Sequence, residues 1–345
     1  MADAADVLFA FADGVERSVS VTAGDTILDA GLAAELPLLY QCRSGSCSSC
    51  IAKLVEGETR QAAGHTTLLR SEYEAGMRLL CQTHAVGACR FEMGYDSEAG
   101  TVRATKANAF VDEVERIASN VVRLRLELAA DNWVDFRPGQ FFQISVPGIG
   151  AVRSYSPAST PKDLPRLEFL IRLLPGGVMS EWLTDRAKPD DVVEIEGAFG
   201  AFFLREKVRA PHILVAGGTG LAPMLSILDA LREQSGRRPR MLLSFGCTDP
   251  DALFGLDAIM LREQWMPTFR SRISVDRGAT GDLLGGTPVD ALLPEDVSDP
   301  DTVAYLCGPP RMIEAAHARL EALGVKPENI FAEQFVPSET TGVTP

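Results

Sequence analysis

The sequence contains no run of 18 apolar residues, so no helix in it is expected to cross a bilayer. Nor does it open on the basic, then hydrophobic, pattern of a secretory leader. Positive charge is scarce: 33 Lys and Arg stand against 47 Asp and Glu, a net charge of −14. That balance argues against a nucleic-acid partner or an anionic membrane surface. A disulfide framework is missing as well. Of seven cysteines, four fall in one pattern, and Cys89, Cys247 and Cys307 are left as an odd set. Such usage suits a reducing compartment, and a cytoplasmic monomer is the expectation.

What is present is ordinary globular material, 46% apolar and 23% charged, over 345 residues. That length leaves room for two or three domains, each with its own core. The acidic excess is uneven, with 14 acidic and 7 basic side chains in residues 1–98. It can serve solubility, or it can steer this segment towards a basic partner in a salt-dependent way.

Three cysteines stand in a loop of small residues, Cys42-Arg43-Ser44-Gly45-Ser46-Cys47-Ser48-Ser49-Cys50, and Cys81 follows after 30 intervening residues. C-x4-C-x2-C with a distant fourth cysteine is the plant-type spacing of a [2Fe–2S] cluster. Gly45 allows a turn that a side chain would block, and the serines let main-chain N–H groups approach the sulfurs. A structural zinc site would draw its thiolates from two short knuckles, but Cys81 has no such neighbour. Cys81 and His84 form the C-x2-H half of a Rieske centre, but no C-x-H half precedes them. CRSGSCSSC and the later GMRLLCQ resemble the cluster loops of plant-type ferredoxins, which implies Cys42, Cys47, Cys50 and Cys81 as ligands.

Along the chain, Val7–Phe11 and Arg17–Val21 flank Asp13-Gly14 and read as a hairpin. A helix is expected over Thr26–Ala34 with Asp25 as its cap, and a strand over Ile51–Val55. The mixed polar stretch Ser97–Asn108 reads as a linker. Beyond it, Val121–Leu128, Gln140–Val146 and Leu167–Leu173 are strands between Pro-Gly turns, as in an antiparallel barrel. Arg153-Ser154-Tyr155-Ser156 follows the second of these. It sets a cation suited to phosphate, an aromatic face and a hydroxyl within four residues. Gly176-Gly177-Val178-Met179-Ser180 then opens a helix over Ser180–Ala187, whose first N–H groups can receive a pyrophosphate.

Near residue 206 the period changes. His212–Ala216 is a continuous apolar strand, Gly217-Gly218-Thr219-Gly220 a glycine turn, and Leu221–Leu231 a helix. That is the phosphate-cradling arrangement of dinucleotide folds, although Pro223 departs from G-x-G-x-x-G. Met241–Gly246, Arg272–Val275 and Val303–Cys307 read as further parallel strands, the last running into Cys307-Gly308-Pro309-Pro310 and a helix over Met312–Leu323. The second strand leads into Cys247-Thr248-Asp249-Pro250-Asp251. This offers two carboxylates to a ribose 2′-OH and no cation before Arg262, which favours NADH over NADPH.

Taken together, R-x-Y-S, GGVMS, AGGTGLAPM, CGPP and the terminal FAEQF resemble the ferredoxin–NADP+ reductase superfamily. More closely, the order of parts resembles the reductase components of bacterial oxygenase systems of the benzoate dioxygenase type. The resemblance implies a multidomain α+β and α/β chain. Its parts would be a β-grasp ferredoxin over 1–98, an antiparallel FAD-binding barrel over 103–205 and a parallel-sheet NAD-binding domain over 206–335. It further implies that Arg153, Tyr155, Ser156, Gly177 and Ser180 contact flavin. Gly217, Gly218, Thr219, Gly220, Asp249, Asp251, Cys307 and Gly308 would serve the pyridine nucleotide, and Phe335 would lie where nicotinamide enters. Ser156, Cys307 and Phe335 are thus placed at the site of hydride transfer. FAD is implied rather than FMN, because the FMN-containing relatives carry their ferredoxin at the C-terminus.

The implied activity is electron transfer from NADH through FAD and the [2Fe–2S] cluster to a terminal oxygenase, with a Rieske-type aromatic-ring dioxygenase as the leading partner. A di-iron monooxygenase or a deoxysugar dehydratase would use the same layout. A membrane respiratory subunit is disfavoured by the missing span, and a non-enzymatic iron–sulfur protein leaves three motifs unexplained.

Overall fold

The computed structural model describes residues 4–64, 66–205, 209–236 and 238–335. The tail Val336–Pro345 and the expected third boundary at residue 206 lie outside them. The chain forms two compact units, one of residues 1–104 with Ala198–Arg205, the other of Thr105–Gly197 with 206–345.

In the first unit, β1 (Ala5–Ala10) and β2 (Glu16–Val21) make the expected hairpin. Then come α1 (Ile27–Ala33), β3 (Ile51–Glu56), β4 (Thr59–Gln61), α2 (Arg70–Glu74), β5 (Met77–Leu79), β6 (Thr83–Ala85) and β7 (Cys89–Glu92). The main sheet runs β2-β1-β7-β3-β5, and β4 pairs with β6. The β1–β7 pair is parallel, which sequence spacing could not disclose. Val7 and Phe9 alternate onto one face of β1, as the two-residue strand period requires, and Phe9 stacks on Phe91 at 6.0 Å. Ile27 and Leu28 of α1 are buried in the same core.

Two local expectations are revised. The cap of α1 is Thr26, whose hydroxyl accepts from the Asp29 N–H at 3.1 Å, and not Asp25. Residues 97–100 form a 3-10 turn capped by Asp96 rather than an open linker. Ala99 there is buried, and a Cβ on Gly100 would come within 1.8 Å of the Pro37 carbonyl oxygen.

The second unit begins with β8 (Thr105–Ala118), β9 (Val121–Leu128), β10 (Phe141–Ser145), β11 (Val152–Tyr155), β12 (Arg166–Arg172), α3 (Val178–Asp185) and β13 (Val192–Phe199). The sheet order is β11-β10-β13-β8-β9-β12. Just past β11, Pro157 bridges to Phe169 of β12, and the Ala158 N–H reaches the Glu168 carbonyl at 2.7 Å, which brings the two edges together as a barrel. The helix α3 starts at Val178 with Gly177 as its cap, so Ser180 lies inside its first turn.

A parallel sheet follows in the order β17-β16-β15-β14-β18-β19. Its elements are β14 (His212–Gly217), α4 (Leu221–Glu233), β15 (Met241–Cys247), α5 (Leu256–Trp265), β16 (Phe269–Val275), β17 (Leu284–Gly285), β18 (Val303–Gly308), α6 (Pro310–Ala322) and β19 (Ile330–Gln334). Ile213, Leu214, Val215 and Ala216 are all buried, as a strand covered on both faces demands. The strand order reverses between β14 and β18, so the carboxyl ends of these two strands define the ligand crevice of this sheet. Among the described residues no helix is long and apolar enough to cross a membrane.

Candidate functional site

The loop Cys42–Cys50 departs from regular structure because three of its residues take left-handed backbone angles, Arg43, Gly45 and Ser48 at φ +56°, +82° and +52°. These turns aim main-chain donors at sulfur. The N–H groups of Ser44 and Ser46 point at Cys42 Sγ from 3.4 and 3.3 Å, and the Cys42 N–H at Cys47 Sγ from 3.4 Å. A side chain at position 45 would strike the Gln82 amide at 2.3 Å. Gln82 itself donates to the Ser44 carbonyl, which ties the loop to the turn that presents Cys81. Asp29 forms an ion pair with Arg43 and anchors the loop to α1.

The four sulfurs fall into two pairs, Cys42 with Cys47 and Cys50 with Cys81. Cys47 and the two serine contacts pull the Cys42 pKa down to about 3, and its partner Cys47 moves up in turn. In the second pair Cys81 is lowered by Cys50, which is itself raised by Cys81 and by burial. Among the described residues no three His, Cys, Asp or Glu side chains converge on a point for one ion. Two pairs of cysteine sulfurs suit two irons, each held by one pair, whereas a single zinc would gather all four. His84 Nδ1 meets the Asp25 carbonyl oxygen at 2.8 Å, an engagement apart from the sulfurs.

The crevice of the second unit assembles residues from distant parts of the chain. Tyr155 pairs with Phe142 across β10 and β11, which leads Ser156 into a buried position. Its hydroxyl donates to Glu333 Oε2 at 3.2 Å. Glu333 on β19 stands opposite Cys307 on β18. Glu333 is half-buried as a residue, and burial of its carboxyl pushes its pKa up to about 8, while the Ser156 hydrogen bond opposes the shift. Cys307 is fully buried, and burial and then the Glu333 charge raise its thiol well above the usual range. The Phe335 N–H reaches the Gly308 carbonyl at 2.9 Å, so the terminal segment closes beside the same strand end.

The glycine turn abuts this group because only glycine fits. A Cβ on Gly220 would fall 2.1 Å from the Cys307 carbonyl oxygen, and one on Gly217 would fall 2.7 Å from Met312 Sδ. Ser226 on α4 donates to the Ser159 carbonyl at 2.7 Å and holds the segment after R-x-Y-S against that helix. Ser156 is joined through Glu333 to the strand end that carries Cys307 and Gly308, with Gly220 and Phe335 beside it. Other expected residues engage elsewhere. Arg153 donates to the Val152 carbonyl, and Ser180 Oγ accepts from the Leu174 N–H at 2.8 Å, beside Gly177. Asp249 Oδ1 accepts from the Ala252 N–H at 3.1 Å, which makes it the cap of a short turn, and Asp251 is exposed.

Sequence reading missed three residues here. Glu333 lies within the quoted FAEQF, but nothing in the sequence showed that its strand would pair with the Cys307 strand. Arg172 ends β12, and its charge acts on Cys247, whose thiol burial pushes up to about 12 and the Gly218 N–H pulls back. Arg277 follows β16, and its N–H reaches the Thr248 carbonyl at 3.1 Å. Arg277 is exposed, and it is its backbone that meets the turn before Asp249.

A thiolate-pair loop on a ferredoxin-like sheet, together with a barrel and a parallel nucleotide sheet, defines an iron–sulfur flavoprotein oxidoreductase. Three domain families match in that order: the 2Fe-2S iron-sulfur cluster binding domain over residues 10–86, the oxidoreductase FAD-binding domain over 108–204 and the oxidoreductase NAD-binding domain over 214–318. The chain is 33% identical over 332 residues to the toluate 1,2-dioxygenase electron transfer component of Pseudomonas putida, covering 95% of this chain and 97% of that one. It is 31% identical to the propane 2-monooxygenase reductase component of Mycolicibacterium smegmatis, covering 97% and 98%. The crystal structure of an Amycolatopsis cytochrome P450 reductase superposes with a TM-score of 0.71 at 30% identity, covering 96% of this chain and 99% of that one. The protein belongs to this family of electron-transfer reductases, and its cofactors are a [2Fe–2S] cluster, FAD and NAD(H).

Proposed function

We propose that this chain takes electrons from NADH and delivers them, through FAD and the cluster, to a terminal oxygenase, with an aromatic-ring dioxygenase as the acceptor. The Ser156–Glu333–Cys307 group beside the glycine turn carries this reading, since it places a proton-holding carboxyl and a hydroxyl at the crevice between β14 and β18. The cofactors supply hydride acceptance and one-electron release when bound. The residues do the rest. Arg153 and Tyr155 offer a phosphate contact and a ring face, and Gly177 and Ser180 sit at the start of α3 to receive phosphate oxygens. Gly217 to Gly220 admit the dinucleotide backbone closely. Glu333, protonated at neutral pH, holds a proton on its carboxyl and can pass it through Ser156 Oγ as reduction proceeds. Cys307 shapes the floor and stays a neutral thiol, and Phe335 covers the entrance beside Gly308. Cys42, Cys47, Cys50 and Cys81 hold the two irons in pairs, with Ser44 and Ser46 donating to sulfur.

Asp251, and Asp249 beside it, favour the unphosphorylated ribose, so NADH is preferred over NADPH. Cys89, Cys247 and Cys307, the cysteines outside the cluster set, form no disulfide, which supports a cytoplasmic setting. The likeness to monooxygenase components supports a second reading in which the acceptor is a monooxygenase.

Anaerobic NADH should bleach the flavin of the purified protein and then produce the electron paramagnetic resonance of a reduced [2Fe–2S] cluster. Subsequent mixing with a purified dioxygenase should reoxidise that cluster rapidly. Reoxidation by a monooxygenase component alone would replace the first reading with the second, and failure with both would end the oxygenase assignment.

A further inference from the structure

One stretch of the first unit comes from far along the chain. Ala198–Arg205, which begins within the last residues of β13, is part of the unit formed by residues 1–104. Ala201 and Phe203 are 8% and 1% exposed, and they share one hydrophobic core with Leu39, Tyr95 and the cysteines Cys50 and Cys81. The Arg205 guanidinium lies 4.0 Å above the Phe203 ring. Its Nη2 donates to the Ala201 carbonyl at 2.6 Å, which folds the segment back so that cation and ring stack.

Tyr95 connects this stack with the cluster loop. It is buried, and its hydroxyl oxygen accepts from the Leu39 N–H at 3.1 Å, three residues before Cys42. The fields of Cys50 and Arg205 both reach that hydroxyl, with opposite sign. Other arginines of the unit differ in setting. Arg43 and Arg70 are exposed, and water screens their charge. Arg205 is half-buried against the core that holds two of the thiols, and there a charge acts over longer range.

Reduction of a [2Fe–2S] cluster adds one electron, and a fixed cation within reach lowers the energy of the added charge. We propose that the Phe203–Arg205 stack is a potential-setting element of the iron–sulfur centre, contributed by a segment outside the ferredoxin sequence, and that it raises the midpoint potential of the cluster. The proposal rests on the assignment of Cys42, Cys47, Cys50 and Cys81 as cluster ligands. Arg205 acts as a positioning charge and touches no reacting atom.

The test is a redox titration of the full-length holoprotein, with the reduced cluster followed by electron paramagnetic resonance. For Arg205→Gln the reduced-to-oxidised ratio at the wild-type midpoint should drop about ten-fold, a shift of ~59 mV for a one-electron couple. Arg205→Lys, which keeps the charge, should recover most of it. Arg205→Gln with full iron and sulfide content and a wild-type midpoint would overturn the proposal. If Arg205→Gln does not assemble a cluster, Phe203→Leu decides, because it fills the core but removes the ring that seats the guanidinium. Its midpoint should fall, and an unchanged midpoint there also overturns the proposal. A wild-type protein without iron would instead overturn the ligand assignment.

Discussion

Replacing Glu333 with Gln converts the electrostatics of the crevice into a measurable dependence on pH. In the folded chain burial of the carboxyl pushes Glu333 up to about 8, against an ordinary 4.5. Between those two values the native state keeps a proton that the unfolded state releases. The unfolded chain therefore binds fewer protons, and stability must fall as pH rises through that window. Each pH unit separating the two values corresponds to 1.36 kcal/mol, so the whole interval is worth about 5 kcal/mol above pH 8, an upper figure. Gln has the same shape, stays neutral, and can still accept from Ser156 Oγ. Near pH 5 wild type and variant should therefore unfold within about 1 kcal/mol of each other. Near pH 9 the variant should be the more stable by a few kcal/mol, at roughly 2–4 °C of Tm per kcal/mol for a domain of this size. Calorimetry of both proteins across this range, following the transition of the flavin and nucleotide unit, measures the difference. NADH-dependent ferricyanide reduction gives a second reading. The wild-type rate should decline as pH passes about 8, and the variant should be slower at neutral pH and level across the range. A Tm gap that stays constant with pH would mean that Glu333 is ionised in the fold, and the proton-holding role would be withdrawn.

Cys47→Ala should abolish reduction of a one-electron protein acceptor and the red-brown colour, while NADH-dependent ferricyanide reduction through the flavin persists; unchanged colour and cytochrome reduction would refute the ligand assignment. Residues 103–345 alone should fold, bind FAD and oxidise NADH, and Phe203→Ser in that fragment should raise its solubility because the core that covers Phe203 is gone. If both forms of the fragment are flavin-free, the boundary is wrong. Asp249→Ser with Asp251→Ser should narrow the preference for NADH in kcat/KM by about ten-fold, the equivalent of one relieved charge clash of roughly 1.4 kcal/mol. Serine at 249 keeps the cap to Ala252, so a collapse of both activities would point to the turn and not to the ribose. Electron transfer to the oxygenase should slow as salt rises, if the acidic excess of residues 1–98 steers docking; a salt-independent rate leaves solubility as its purpose.

The local chemistry was legible in the amino-acid sequence. Cysteine spacing, the alternation of Val7 and Phe9, the strand at Val121–Leu128 and the strand-turn-helix at His212–Leu231 depend on neighbours a few residues away, and each appears where its pattern put it. Helix starts were less secure, because capping is a contest among adjacent polar residues, and at α1 the Thr26 hydroxyl wins over Asp25. Pairings between distant segments were not legible, since period and propensity say nothing of which strand lies beside which. Only the folded chain sets Glu333 opposite Cys307 and within reach of Ser156, brings the Arg277 main chain to the Thr248 turn, and divides four cysteines into two pairs. Only the folded chain sends Phe203 into the core of a unit that ends in sequence at residue 104, because a buried ring goes wherever a matching apolar cavity is left open.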